Sequence, residues 1–244
     1  MEESYEAYGY SVAKVGKEKN GDHFLLEQLS EEGLLIAIVA DGVSSQPCDW
    51  LASETICQKV VEFFKSNIAE KDILKRLRSS IIQANEFVSN TQGACLTMCS
   101  TLSVVVWEVA RDMLFLANIG DSRIYSSFGG KLELLTKDDS TLVRGPILEH
   151  GLVRIIDKPV LTQVIGQGNL RLSVAVQLFK EAEIIILATD GFYEARRGIF
   201  TKTLSELSQQ PNFKASFEVI VQSFEILRGD DLTVLMIRRR KAAT

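Results

Sequence analysis

Four aspartates stand at the ends of short apolar runs. Residues 34–40 lead into Asp41-Gly42, residues 113–119 into Gly120-Asp121, and residues 184–189 into Asp190-Gly191. In reverse order, Gly229-Asp230-Asp231 opens the run 232–237. An Asp-Gly after a strand is ordinarily a turn. Four acidic residues abutting strands of one core mean more, because folding can gather them at one sheet edge. Two carboxylates roughly 5 Å apart repel by about 3 kcal/mol at an effective dielectric near 20, so either their pKa values rise or cations fill the gap. All-oxygen coordination suits Mg²⁺ or Mn²⁺ rather than zinc or copper. The glycines after Asp41 and Asp190 leave room for a ligand or a main-chain oxygen to come close. His23 and His150 are the only histidines, too few for an ordinary zinc site and little basis for a Ser-His-Asp arrangement. The chemistry this pattern suits is metal-assisted phosphoryl transfer carried by carboxylates.

The runs that position these residues read as strands, being short, β-branched and bounded by Gly and Asp. Two more strand candidates, 101–107 and 172–176, lack acidic ends. The segments 101–107 and 113–119 form a hairpin candidate. Helical periodicity places Ile56, Val60, Phe63 and Phe64 on one face, and Leu74, Leu77, Ile81, Ala84 and Val88 on a second. A third stripe, Phe213, Phe217, Ile220, Phe224 and Leu227, follows Pro211. Helices adjacent to helices and strands following strands predict an α+β fold with antiparallel sheet. With no repeat or long linker, residues 1–244 read as one domain, with 138–168 as its least regular stretch.

Of the 244 residues, 46% are hydrophobic and 24% charged, which argues against disorder. The net charge of −5 makes a nucleic-acid partner a poor expectation. No apolar run approaches the roughly 20 residues of a membrane span, and the acidic start MEESYEAYGYS lacks a secretory pattern. A cytoplasmic protein with no membrane partner is therefore expected. Cys48, Cys57, Cys95 and Cys99 do not make a disulfide framework in a chain this long, and reduced thiols are expected. The cluster Arg238-Arg239-Arg240-Lys241 reads as a solvated tail.

A longer set of motifs runs along the chain: Lys17-x-x-Asn20-x-Asp22, Val39-Ala40-Asp41-Gly42, Ser100-Thr101-Leu102 and Ala117-Asn118-Ile119-Gly120-Asp121-Ser122-Arg123-Ile124-Tyr125. Leu135-Thr136-Lys137-Asp138-Asp139-Ser140, Leu161-Thr162-Gln163-Val164-Ile165-Gly166, Ala188-Thr189-Asp190-Gly191 and Gly229-Asp230-Asp231-Leu232-Thr233-Val234 follow. No single piece is specific, whereas the ordered set, over about residues 10 to 238, is. In content and order it resembles the bacterial PP2C-type (PPM) metal-dependent serine/threonine protein phosphatases. The resemblance implies an α-β-β-α sandwich of two antiparallel sheets flanked by helices. It implies Mn²⁺ or Mg²⁺ as cofactor, two ions with a weaker third. By carry-over, Asp41 bridges both metals, the Gly42 carbonyl binds the second, and Asp190 and Asp230 hold the first. Asp22 acts at the rim, Asp121 with Asp190 holds the third ion, and Lys17 stands where the family usually has a phosphate-binding Arg.

This sequence departs from that pattern in several places. Gly21 replaces an acidic residue or Gln, Ser44-Ser45 a glycine pair, Asp138-Asp139-Ser140 an Asp-His-Ser, and Asp231 a frequent Asn. Val43 stands where some relatives carry a His, and 138–168 reads as an abbreviated flap-like segment. Lys17 offers a point charge where Arg would bind bidentately. No core ligand is lost. The activity implied is hydrolysis of phosphoserine and phosphothreonine by a metal-activated water without a phosphoenzyme. Phosphoproteins, a cognate Ser/Thr kinase and its targets are the implied partners. The rival is a catalytically weak or inactive regulator that keeps the fold to bind phosphoproteins. The chain lacks a P-loop and a DxDxT nucleophile motif, which lowers the case for other phosphohydrolases.

Overall fold

The computed structural model describes residues 5–91, 95, 97–149, 152–180, 183–195, 197–207, 209–225 and 229–240. Two five-stranded antiparallel sheets pack face to face. One comprises, in spatial order, β1 (Tyr5–Val12), β12 (Leu232–Arg239), β11 (Ile184–Ala188), β6 (Arg123–Phe128) and β7 (Lys131–Leu134). The other runs β10 (Val174–Leu178), β5 (Met113–Ile119), β4 (Leu102–Glu108), β3 (Leu34–Asp41) and β2 (Asp22–Leu29). Helices α1 (Asp49–Ser66) and α2 (Ile73–Ser89) cover the second sheet, while α3 (Asp190–Glu194), α4 (Arg197–Leu207) and α5 (Phe213–Glu225) cover the first. The α-β-β-α sandwich is thus observed.

Three apolar layers hold it. Ile36, Ile38 and Val104 meet Ile56, Val60 and Phe64 of α1 and Leu77 and Ile81 of α2. Between the sheets, Leu35, Ala37, Val105, Trp107, Leu187 and Leu235 interdigitate. Phe192, Phe200, Phe213 and Phe224 fill the third layer. Each fully buried side chain of this size contributes about 1.5–3 kcal/mol. Because β3 and β4 are covered on both faces, they read as continuous apolar runs. The expected hairpin exists: β4 pairs β5 from Leu102↔Ile119 to Glu108↔Met113, closed by a single 3₁₀ turn at Val109–Arg111. The expected strand at 172–176 is displaced by two residues, to Val174–Leu178.

Three expectations are corrected. Residues 138–168 are not irregular: β8 (Ser140–Glu149) and β9 (Leu152–Leu161) form a separate two-stranded ribbon. Pro146 stands opposite Ile155 and Pro159 opposite Leu142, tolerated because both strands of a two-stranded ribbon are edges. The basic segment is not a solvated tail either. Arg238 pairs with Glu6 at 3.0 Å, Arg239 with Asp112 at 2.6 Å, and Arg240 with Glu6 at 3.2 Å; Lys241 lies outside the described residues, as do His150 and Leu227.

The third correction concerns the cysteines. Cys48 and Cys95 are disulfide-bonded with Cα atoms 5.6 Å apart, whereas Cys57 and Cys99 are free and buried. Cys48 precedes α1 in a left-handed conformation and makes no side-chain cap to the helix. The bridge closes a 47-residue separation, and the chain-entropy account assigns such a loop about 4 kcal/mol. Cys48→Ala should therefore lose up to about 4 kcal/mol of stability in urea denaturation, and dithiothreitol should reproduce the loss in wild type but add nothing to the variant.

Candidate metal centre

The antiparallel pairing delivers the acidic residues to one end of the sandwich. Asp22 pairs directly with Asp41 across β2 and β3. Asp121 lies two residues beyond the end of β5, and Asp190 opens α3 just past β11. Ala188 pairs with Val234, so Asp190 and Asp230 meet at the same end of β11 and β12. Threonines fasten the two sheets here. The Thr189 hydroxyl donates to Asp22 Oδ2 at 2.7 Å, and Thr233 N donates to Thr189 Oγ1 at 3.0 Å. Thr101 N and the Ser100 hydroxyl both donate to the Asp41 carbonyl, at 2.8 and 2.7 Å. Sequence reasoning passed over Thr189 as a site residue; its only signal was its place between a strand and an Asp-Gly.

The glycines do what their position suggested, with a main-chain oxygen as the close neighbour in both cases. A Cβ on Gly42 would stand 2.1 Å from the Asp49 carbonyl oxygen, and one on Gly191 1.8 Å from that of Asp231. Both contacts are with backbone, so a side chain at either place displaces the chain beside the carboxylates.

Electrostatics report the crowding. Burial raises the Asp41 carboxyl well above the usual range, and Asp22, Asp190, Asp121 and Asp230 add repulsion. Asp22 is pushed up to about 7, first by burial and then by Asp231 and Asp190, although the Thr189 hydrogen bond works the other way. Asp190 rises to about 6 through burial and the charges of Asp121, Asp230 and Glu194, partly offset by a hydrogen bond with Asp41. Asp121 is raised by burial and by Asp138. Asp22 is 4% exposed, and its Oδ1 has no hydrogen-bond partner. Asp230 is exposed and faces a cleft of about 360 Å³ shared with Asp190, Gly191, Glu194 and Ala195. As placed, no three His, Cys, Asp or Glu side chains among the described residues are grouped so as to hold a metal ion. The donor set nevertheless fits a hard divalent cation: every donor is oxygen, and a buried carboxylate oxygen lacking any partner is a costly feature that a cation would satisfy.

A family model described as protein phosphatase 2C matches residues 9–233. The chain belongs to the protein phosphatase 2C family. The serine/threonine phosphatase stp of Listeria welshimeri is 25% identical over 218 residues, covering 84% of each chain. Among solved structures, the Mycobacterium tuberculosis serine/threonine phosphatase PstP/Ppp superposes with a TM-score of 0.74 at 17% identity, covering 97% of this chain and 99% of that one. The catalytic domain of PstP in complex with two manganese ions gives a TM-score of 0.72 at 18% identity, over 97% and 99%. This PP2C-family chain is a metal-dependent serine/threonine protein phosphatase. Among the described residues no helix is long and apolar enough to cross a membrane.

Proposed function

We propose that Asp41, Asp190 and Asp230 hold two divalent ions, Mn²⁺ or Mg²⁺, with the Gly42 carbonyl completing the second site. Asp22 would act at the rim of the cluster, directly or through water, and Asp121 with Asp190 would hold a third ion. Bound ions supply Lewis acidity that lowers the pKa of water and neutralises charge on the phosphoryl group. The chain's own residues do the rest. The aspartates fix where the ions sit, Thr189 orients Asp22, and the Lys17 ammonium supplies a positive charge beside the phosphoryl oxygens. Water attacks phosphorus in line and the serine or threonine oxygen leaves, taking its proton from solvent because Val43 offers none. No phosphoenzyme forms.

One observation carries this reading: four aspartates from both sheets share one end of the fold, and each has its pKa raised by burial and by its neighbours. Residues 1–244 act as one phosphatase domain on phosphoproteins, with a Ser/Thr kinase supplying the substrates, in the cytoplasm. The Cys48–Cys95 bridge bears on that location, since disulfides persist poorly in a reducing compartment. Alkylation of thiols on rapid extraction should tell whether the pair is bridged in the cell.

The function is tested with phosphoserine and phosphothreonine peptides in ¹⁸O-labelled water. Mn²⁺-dependent release of phosphate carrying one solvent oxygen, with no trappable phosphoenzyme, is expected. Release without metal, or a phosphoprotein intermediate on quenching, would overturn the mechanism.

A further inference from the structure

Lys17 does not extend freely toward the cleft. Its Nζ donates to Asp49 Oδ2 at 2.8 Å and to Asp231 Oδ2 in a shorter contact. The Asp231 side chain is 6% exposed and accepts two further bonds, from Gly21 N at 2.7 Å and from Lys14 N at 2.8 Å. Asp49, the first residue of α1, accepts from Trp50 N at 2.8 Å through its other oxygen. A Cβ at position 21 would lie 2.7 Å from Asp231 Oδ2, 2.8 Å from Lys17 Nζ and 2.9 Å from Asp49 Oδ2. Three charged atoms therefore converge over Gly21 and join three distant segments: the β1–β2 connection, the start of α1 and the residue before β12.

We infer that Asp231 and Asp49 are positioning residues that hold the Lys17 ammonium in one place so that its remaining N–H is presented to the substrate phosphoryl group. The inference rests on the role proposed above for Lys17. An ammonium has three donors, and two are committed here. A guanidinium orients itself on phosphate through its planar fork, whereas a lysine is a point charge on a four-carbon stem and must be oriented by its surroundings. Fixing the stem in the fold means that the rotamer entropy is not lost at substrate binding. Two carboxylates offset the long-range attraction of one ammonium, so the positive charge of Lys17 acts at contact range, through one directed N–H. Gly21 is the spatial condition for the arrangement, since any side chain there meets all three atoms.

The test is a double-mutant cycle of Lys17→Ala and Asp231→Asn in the full chain, with Asp49→Asn as a second route. It reads KM and kcat for a phosphopeptide, competitive inhibition by inorganic phosphate, and the Mn²⁺-induced melting shift. Asp231→Asn is expected to raise KM and the phosphate inhibition constant about tenfold, the value of one charge-assisted hydrogen bond, with kcat changed far less. In the Lys17→Ala background the same substitution should do nothing to KM. In metal-free protein the ¹⁵N ammonium resonance of Lys17 should be visible through slow proton exchange and should broaden in Asp231→Asn. An equal KM effect with and without Lys17 would show that Asp231 is merely structural. A fall in KM would show that it repels substrate. Either result overturns the inference. If Lys17→Ala alone leaves KM and phosphate inhibition unchanged, the proposed role of Lys17 fails as well; if it raises them while Asp231→Asn and Asp49→Asn do not, only the positioning fails.

Discussion

Asp41→Asn should make the metal-free protein more stable than wild type, abolish its melting response to Mn²⁺, and lower phosphopeptide turnover by roughly 10³-fold. The three effects have one cause. Asp41 ends β3, pairs with Asp22 across the strands and shares a hydrogen bond with Asp190. Its carboxyl is raised by burial and by four other aspartates. An amide keeps the shape and removes one charge from that group, relieving repulsion of about 1–3 kcal/mol at an effective dielectric near 20. The same change deletes the ligand proposed to touch both ions. Selective binding to the native state stabilises wild type by about 2.7 kcal/mol at a metal concentration 100 times the dissociation constant, and that increment should vanish. Differential scanning calorimetry with and without chelator reads stability, and a malachite-green phosphate assay reads turnover. A variant that melts below wild type in chelator, or that still responds to Mn²⁺, would show that Asp41 is not the hub.

The parts of this architecture legible in the sequence are those whose physics is local. β3 is buried on both faces, so its period is continuous apolarity ending abruptly at a charge, and Asp41 announces itself. β2 and β6 are different. Asp22–Leu29 and Arg123–Phe128 mix apolar with polar and charged residues, and neither segment reads as a strand until its partner is known. The ribbon of β8 and β9 was hidden for another reason. Leu142, Val153 and Ile155 are 70%, 70% and 58% exposed, so no core imposes a readable alternation, and two prolines suggest a loop. Of the candidate site, each strand-end aspartate was found at the end of its strand. Asp49 was missed because an acidic residue in a first helical turn already has an ordinary explanation in the helix dipole. The Cys48–Cys95 bridge was missed because a separation of 47 residues carries no spacing signal.

In chelator, the wild-type protein should lose stability as the pH rises from 5 to 8, and Mn²⁺ should flatten or reverse that slope. In the unfolded chain a carboxyl releases its proton near its ordinary value of 3.8, whereas the folded protein holds Asp190 to about 6, Asp22 to about 7 and Asp41 well above 3.8. Between those limits the native state carries the extra protons. Stability conferred below the unfolded pKa is then lost as pH climbs through the folded values, at up to about 1.4 kcal/mol per pH unit for each proton. Two groups of opposite sign must be set against this. Glu6 and Glu32 are held low, Glu6 against its burial by Arg238 and Arg240, and Glu32 chiefly by its hydrogen bond to Arg76. They gain stability only as pH rises through the ordinary carboxyl range, below the window in question. His23 is lowered by burial and favours the folded state as pH rises past its folded value, but it is one group against four raised aspartates, Asp121 included. Divalent ions bind the deprotonated carboxylates, so their binding must release protons, and more of them at pH 5.5 than at pH 8. Titration calorimetry in buffers of different ionisation enthalpy counts those protons, and calorimetric melting across the pH series gives the slope. Asp22→Asn should take away the part of that slope near pH 7. A metal-free melting temperature that stays level or climbs from pH 5 to 8 would mean that the carboxylates do not share a crowded, poorly solvated site.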